Sequence, residues 1–533
     1  MQSLYLIGVL ITVLSVAWLA LCVGMWRLHR SRTQPKLVAN TKTLIVYASQ
    51  TGNAQSIAQY FADALSVLEK VSAIPLNALT FEHLLPLEKV LFVISTYGDG
   101  EAPDNGSLFT KLLTTISTST SDRNADINQL NHLAYSVVAL GDSTYPEFCA
   151  FGYQVDQAMK DAGAKQLSKV ITVDNYDELI TNLADITPDW LEVSQQSLIQ
   201  QPSLIKTTGT QVVKSKQYWQ LIQRELLNPD CNDEPLLQIT FKSIGPSPTW
   251  QAGDLIEIQP KQPSEVVDKW LAENNINGDI WLTHQGHQQS LKAWLLEREL
   301  PETHKHSANE LLQALPYLHK RSYSIASIPE DGQLQLIVRL FEKHNGDVQR
   351  QAEKQEFGLA SGFLSHYCQV GDVIDGHIKS VNSHHNIDHS KPIILIGAGS
   401  GLAGLKAQIS ARFYLANQQD KSIGQSWLIF GERNNKAELP INKQLAEFEK
   451  EPVKVNKLSC AFSQDSQYPK YVQNVLFNEQ DKLHQWIDDG AYIYVCGSLV
   501  GMGEGVQDAL VTILGQEKIE ELQQQQRYIR DVY

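Results

Sequence analysis

The apolar run Thr43 to Ala48 leads straight into Ser49-Gln50-Thr51-Gly52-Asn53-Ala54, and the residues after it take helical spacing. Few folds accommodate such a junction. A strand that turns through small polar residues into a helix leaves hydroxyls and backbone N–H groups at the helix N-terminus, where the macrodipole adds to their pull on an anion. The segment therefore reads as a phosphate cradle at a strand-to-helix turn.

The runs Lys89 to Ser95, Tyr135 to Leu140 and Lys169 to Val173 repeat the apolar pattern between helical stretches. That alternation predicts a parallel sheet with helices on both faces over residues 42–195, with ligands beyond the carboxyl ends of the strands. Residues 196–215, rich in Gln, Ser, Thr and Lys, read as a linker. Alternating runs at Leu236 to Phe241, Asp254 to Gln259 and Leu334 to Leu340 predict an antiparallel barrel over 216–385, interrupted by a helical insert at 262–318. From 386 to 533 the strand–helix alternation returns, which predicts a second α/β domain.

The first 41 residues differ from the rest. Leu4 to Trp26 carries no charge and, as a helix, would span about 34 Å. The basic stretch Arg27 to Arg32 follows, and residues 27–41 read as a tether. The expectation is a single-pass transmembrane helix with the remainder on the cytoplasmic side of the cell membrane. A cleaved signal peptide is the alternative, against which stand the missing basic n-region and the length of the run. A net charge of −15 excludes a nucleic-acid partner. Residues 42–195 hold most of the excess, with 19 Asp and Glu against 8 Lys and Arg, and predict a basic acceptor protein steered to that domain. Asp99, Glu101, Asp104 and Glu147 lie near the expected ligand edge. The six cysteines have neither CxxC pairing nor metal-ligand spacing, so no metal site is expected.

Two further loops end strands at the edge that holds the phosphate turn: Ser95-Thr96-Tyr97-Gly98, and Leu140-Gly141-Asp142 with Tyr145, Phe148 and Cys149 beyond. A phosphate cradle with two aromatic walls fits a mononucleotide that carries a large planar ring. In their order and spacing these segments resemble the α/β flavodoxin-like domain of the diflavin NAD(P)H reductases. The resemblance implies FMN, with Ser49, Gln50, Thr51, Gly52, Asn53 and Ala54 at its phosphate and Tyr97 and Tyr145 at its ring.

Downstream, Arg321-Ser322-Tyr323-Ser324 places an Arg and a Tyr on one strand face. Gly358-Leu359-Ala360-Ser361 opens a helix, and Gly397-Ala398-Gly399-Ser400-Gly401 follows a buried strand as a turn suited to a pyrophosphate. The pair of segments at 321 and 358 is similar to the FAD site of ferredoxin-NADP reductase-like modules, in which a barrel precedes an α/β nucleotide-binding domain. The resemblance extends to Cys496 and to the tail Arg527 to Tyr533, and implies Ser324, Cys496 and Asp531 beside the reacting carbon, with Tyr533 stacked on FAD as a gate. Ser463, Tyr471 and Gln473 match positions for the 2′-phosphate of NADPH. Gln464 and Pro469, however, stand where relatives carry Arg and Lys, which leaves NADH possible unless Lys470 or Arg433 compensates.

The implied function is electron transfer from NADPH to FAD to FMN and on to a redox protein, with a haem protein expected. The flavoprotein component of a sulfite reductase, and a flavin carrier without nicotinamide turnover, are the alternatives.

Overall fold

The computed structural model describes residues 41–190 and 217–533 apart from 50–51, 67–68, 97–99, 101, 104–105, 107–108, 110–129, 142–146, 175–186, 189, 230, 232, 246–247, 285–286, 302–307, 344–355, 382–386, 419–421 and 451–454. The chain divides into two compact units, residues 1–209 and 210–533.

In the first unit a parallel sheet runs in the order Val71–Pro75, Thr43–Ala48, Lys89–Ser95, Ala134–Gly141, Lys165–Gln166, with Ile171–Asp174 also paired to Ala134–Gly141. Because successive strand residues face opposite ways, each apolar run serves two cores. Leu44, Val46, Phe92, Ile94 and Val137 pack on one face with Phe151, Val155 and Met159 of helix Ala150–Asp161. Ile45, Leu91, Val93 and Val138 pack on the other with Ile57, Ala58, Phe61 and Leu65 of helix Asn53–Ser66. The edge strand Val71–Pro75 has no counterpart in the sequence reading. It is half-buried and ends in proline, so it lacks the continuous apolar signal of its neighbours.

The second unit starts with a six-stranded antiparallel sheet in the order Arg321–Ser324, Leu255–Ile258, Val373–Lys379, Tyr218–Leu226, Leu236–Ile244, Leu334–Arg339. Its two ends meet where the Ala326 N–H donates to Gln335 O at 2.7 Å and the Gln335 N–H to Ser327 Oγ at 3.0 Å, which closes the sheet into a barrel around Trp219, Leu221, Ile239, Phe241, Ile256 and Leu336. The insert holds helices Ser264–Glu273, Leu291–Leu295 and Ala308–Ala314 and the hairpin Trp281–His284/His287–Ser290. It has a small core of its own, built on Val267, Trp270, Leu291, Trp294 and Leu311.

A parallel five-stranded sheet follows, ordered Lys457–Phe462, Ser426–Glu432, Ile393–Ala398, Tyr492–Gly497, Tyr528–Val532. The first-to-last strand sequence thus doubles back at Ile393–Ala398, so the switch point at which sheets of this kind bind ligands lies between the carboxyl ends of that strand and of Tyr492–Gly497.

The expected transmembrane segment Leu4 to Trp26 lies outside the described residues. Among the described residues no helix is long and apolar enough to cross a membrane. The helix Leu402–Asn417, at 16 residues, would cover only about 24 Å.

Candidate active site

In the first unit, parallel register pairs Ala48 with Ile94 and Ser95 with Leu140, so the three strand ends share one edge. Ser49 is buried, and its Oγ accepts the Ala54 N–H at 3.2 Å, which shapes the start of helix Asn53–Ser66. Gly52 takes φ +87°, and a Cβ there would meet nothing within 4 Å. A side chain at Gly52 would therefore meet no neighbouring element, and the helix N-terminus beside it suits an anion. The Thr96 N–H donates to Leu140 O at 2.8 Å, and Thr96 Oγ1 accepts the Phe151 N–H at 3.2 Å. A Cβ at Gly141 would lie 2.8 Å from the Cys149 nitrogen, so Phe148 and Cys149 press tightly against the end of that strand. Cys149 itself adopts φ +58°, and its buried thiol, pushed up to about 11 by burial, donates to Ala139 O at 3.3 Å. Phe148 is half-buried beside it, and Glu147 is exposed. Gln50, Thr51, Tyr97, Gly98, Asp142 and Tyr145 lie outside the described residues, as do Asp99, Glu101 and Asp104.

In the second unit, Arg321 and Tyr323 share one strand face, while Ser322 is exposed and Ser324 buried on the other. The Gly358 N–H donates to Phe341 O at 2.7 Å, and Ser361 Oγ accepts the Phe341 N–H at 3.2 Å, which docks the turn at Gly358 to Ser361 beside the barrel. Ala360 is buried within it.

The glycine turn is built differently. Gly397 sits opposite Cys496 on adjacent strands, and a Cβ at Gly397 or Gly401 would lie 2.5 or 2.0 Å from the Cys496 carbonyl oxygen. Gly399 takes φ +56°. Cys496 is paired in register with Asp531 on the next strand, and both are buried. The Cys496 thiol donates to Asp531 Oδ2 at 3.3 Å and lies 4.0 Å from Ser324 Oγ, so three of the expected polar residues meet at one point. Burial, then the Asp531 charge and its hydrogen bond, raise the thiol well above its ordinary pKa. It is a neutral donor here, with no thiolate available for nucleophilic chemistry.

Tyr533 is held on both sides: its N–H donates to Gly497 O at 3.1 Å and its carbonyl accepts the Leu499 N–H at 2.8 Å. Its hydroxyl donates to Ser400 Oγ at 2.9 Å, which lays the half-exposed ring across to the glycine turn.

Two residues that the sequence reading did not single out complete this cluster. The Tyr494 hydroxyl donates to Asp531 Oδ2 at 3.0 Å. Gly404, in the helix that follows the turn, would place a Cβ 2.8 Å from Cys496 Sγ, 2.9 Å from Asp531 Oδ2 and 3.1 Å from the Tyr494 hydroxyl. The signal for Tyr494 was present, since two residues before Cys496 on a strand is the same face.

At the far end of the sheet, the Ser463 N–H donates to Glu432 O at 3.0 Å and the Gln473 side chain lies against Gly505. Arg433 is engaged by Asp233 at 3.0 Å and Glu234 at 2.7 Å, and Gln464 Nε2 also donates to Asp233 at 3.2 Å. Two carboxylates thus already surround the cation expected to compensate for Gln464. Lys470 lies 5.2 Å from the centroid of the exposed Tyr471 ring.

The Flavodoxin family model matches residues 45–184, and the Oxidoreductase NAD-binding domain model matches residues 395–508. The sulfite reductase (NADPH) flavoprotein alpha-component of Aliivibrio fischeri is 26% identical over 559 residues, covering 92% of this chain and 89% of its own length. The proteins of the same name from Vibrio cholerae and Bacillus subtilis are 26% and 24% identical, over 95% and 94% of this chain and 90% and 91% of their own. The expected single-pass membrane location is corrected on the relatives, which are named as flavoprotein components of sulfite reductase; the segment Leu4 to Trp26 itself lies outside the described residues.

Proposed function

The chain belongs to the diflavin NAD(P)H reductase family, and from that premise we propose that it takes electrons from NADPH through FAD and FMN and delivers them to a haem-containing acceptor protein. The contact of Cys496 with Asp531 and Ser324 beside the glycine turn is the observation that carries the proposal. When bound, the flavins supply the redox chemistry, one taking a hydride's electron pair and the other releasing electrons singly.

The residues present fit these groups. The open turn at Gly52 and the N-terminus of helix Asn53–Ser66 suit the FMN phosphate, with Thr96, Gly141, Phe148 and Cys149 along the same edge. Arg321, Tyr323 and the turn from Gly358 to Ser361 would hold FAD. Gly397, Gly399, Ser400 and Gly401 would take the nicotinamide dinucleotide's pyrophosphate, and Ser463, Tyr471 and Gln473 its adenosine end. Tyr533, tied to Ser400, covers the turn and has to release that hydroxyl contact for a nucleotide to settle there. We assign residues 42–195 to the FMN domain, 216–385 to the FAD barrel and 386–533 to the nucleotide domain.

A second reading with the same chemistry makes the chain the flavoprotein component of a sulfite reductase, its acceptor being the haemoprotein that reduces sulfite. The relatives' names favour it. The two readings separate on the acceptor. Purified protein should be yellow, should release both FMN and FAD on denaturation, and should reduce cytochrome c with NADPH. Mixing it with a sulfite-reducing haemoprotein should yield sulfide if the second reading holds. Colourless protein that binds neither flavin would sink both.

A further inference from the structure

Asp531 Oδ2 is the meeting point of two buried donors, the Tyr494 hydroxyl at 3.0 Å and the Cys496 thiol at 3.3 Å. All three residues are at most 1% exposed. Tyr494 and Cys496 stand two apart on one strand, so their side chains share a face, and register sets Asp531 directly beside Cys496 on the neighbouring strand. Helix Leu402–Asn417 comes closest to the three groups at Gly404, where a side chain would clash with the thiol and the carboxylate and crowd the phenol. Ser324, from the barrel, faces the thiol.

A thiol is a weak donor, whereas a phenol donating to a carboxylate makes a strong, directional bond. The orientation of Asp531 is therefore set mainly by Tyr494. We propose that Tyr494 is a positioning residue for nicotinamide-dependent flavin reduction, fixing the Asp531 carboxylate through this hydrogen bond. The role rests on the reductase function proposed above. Tyr494 reaches no expected ligand position itself and acts through the carboxylate.

Tyr494→Phe removes one oxygen and keeps the ring that fills the core. The variant should retain its FAD and its thermal midpoint within a few degrees. Calorimetric affinity for NADP+ should be unchanged, because the phenol touches no nucleotide subsite. In stopped-flow mixing, the limiting rate of FAD reduction by NADPH should fall about tenfold, the loss expected when one hydrogen bond to a charged group goes. A larger isotope effect with NADPH deuterated at the transferred position should accompany it. A crystal structure of the variant should show the carboxylate of Asp531 turned from its present direction.

An unaltered limiting rate and isotope effect in Tyr494→Phe, or an unmoved carboxylate, would overturn the role. A rate loss accompanied by an equal loss of NADP+ affinity or of FAD would do so too, since that marks general damage. Wild-type protein that accepts no electrons from either nucleotide would overturn the function itself, and this role with it.

Discussion

At Gly52, in the first unit, the backbone takes φ +87° and a Cβ would meet nothing within 4 Å, whereas at Gly401, in the second, a Cβ would fall 2.0 Å from the Cys496 carbonyl oxygen. Both glycines stand in turns that join a buried parallel strand to a helix. The first is needed for its backbone conformation, and a side chain there would meet no neighbouring element. The second is needed because the turn is pressed against the neighbouring strand, with no room for a methyl group. The helices behind the turns differ likewise. Helix Asn53–Ser66 buries only apolar side chains against its sheet, whereas Leu402–Asn417 also sends Lys406 to Gln238 and Gln335 of the barrel, at 2.8 Å each. A similar pattern of residues thus hides one cradle that can tolerate adjustment and another locked into its surroundings.

The largest expected effect follows from the locked turn. Gly401→Ala should destabilise the second unit by upward of about 3 kcal/mol, because the added methyl can escape only if the backbone of two elements moves. Urea denaturation followed by flavin fluorescence measures this. A loss below about 1 kcal/mol would show that the turn yields and would erase the contrast with Gly52.

The buried lysine behind that turn gives the next effect. Burial lowers Lys406 from the ordinary 10.5 to about 8, against the weaker pull of Asp331 and Glu225. Between pH 8 and 10.5 the folded chain has released this proton while the unfolded chain still holds it. The second unit should therefore gain stability as pH rises through that window, by about 3 kcal/mol. In Lys406→Met this rise should disappear from the pH dependence of the denaturation midpoint. An identical slope in both proteins would show that the ammonium is not buried as described.

The smallest effect belongs to the open turn. Gly52→Ala should cost about 1 kcal/mol through left-handed strain alone, and Gly52→Asn less, since asparagine tolerates that region. Both variants should still bind FMN, as judged by its fluorescence quenching on titration. If Asn proves no better than Ala, conformation is not what Gly52 supplies. By the same reasoning, Gly401→Asn should offer no relief over Gly401→Ala.

Much of this architecture was legible in the chain. The strands at Thr43–Ala48, Lys89–Ser95 and Ile393–Ala398 are buried on both faces, so their uninterrupted apolar runs announce them. Tyr218–Leu226 and Val373–Lys379 went unread because barrel strands exposed on one side carry Gln, Arg, Glu, Asp and His between the apolar positions. At the site, Ser324, Cys496 and Asp531 could be named from motifs, yet their meeting depends on a barrel strand reaching the carboxyl edge of another sheet, which no local pattern encodes. Gly404 and Tyr494 were missed for a related reason. Gly404 looks in a sequence like an ordinary helix glycine, and although Tyr494 shares a strand face with Cys496, only the distances between elements show that it meets Asp531. The charge around Arg433 was equally hidden, because Asp233 and Glu234 lie some 200 positions away in the chain.

Asp531 owes its place to the alignment of Tyr528–Val532 along Tyr492–Gly497, and side chains on a strand alternate between faces. Slippage by a single residue would carry the carboxylate to the wrong side of the sheet, even if an equivalent set of ladder bonds formed in the new register. Ile529 and Val532, buried and paired on that strand, help to hold the alignment, and substitutions there would masquerade as active-site lesions. Natural selection acting on such positions has no means to separate good folding from good turnover.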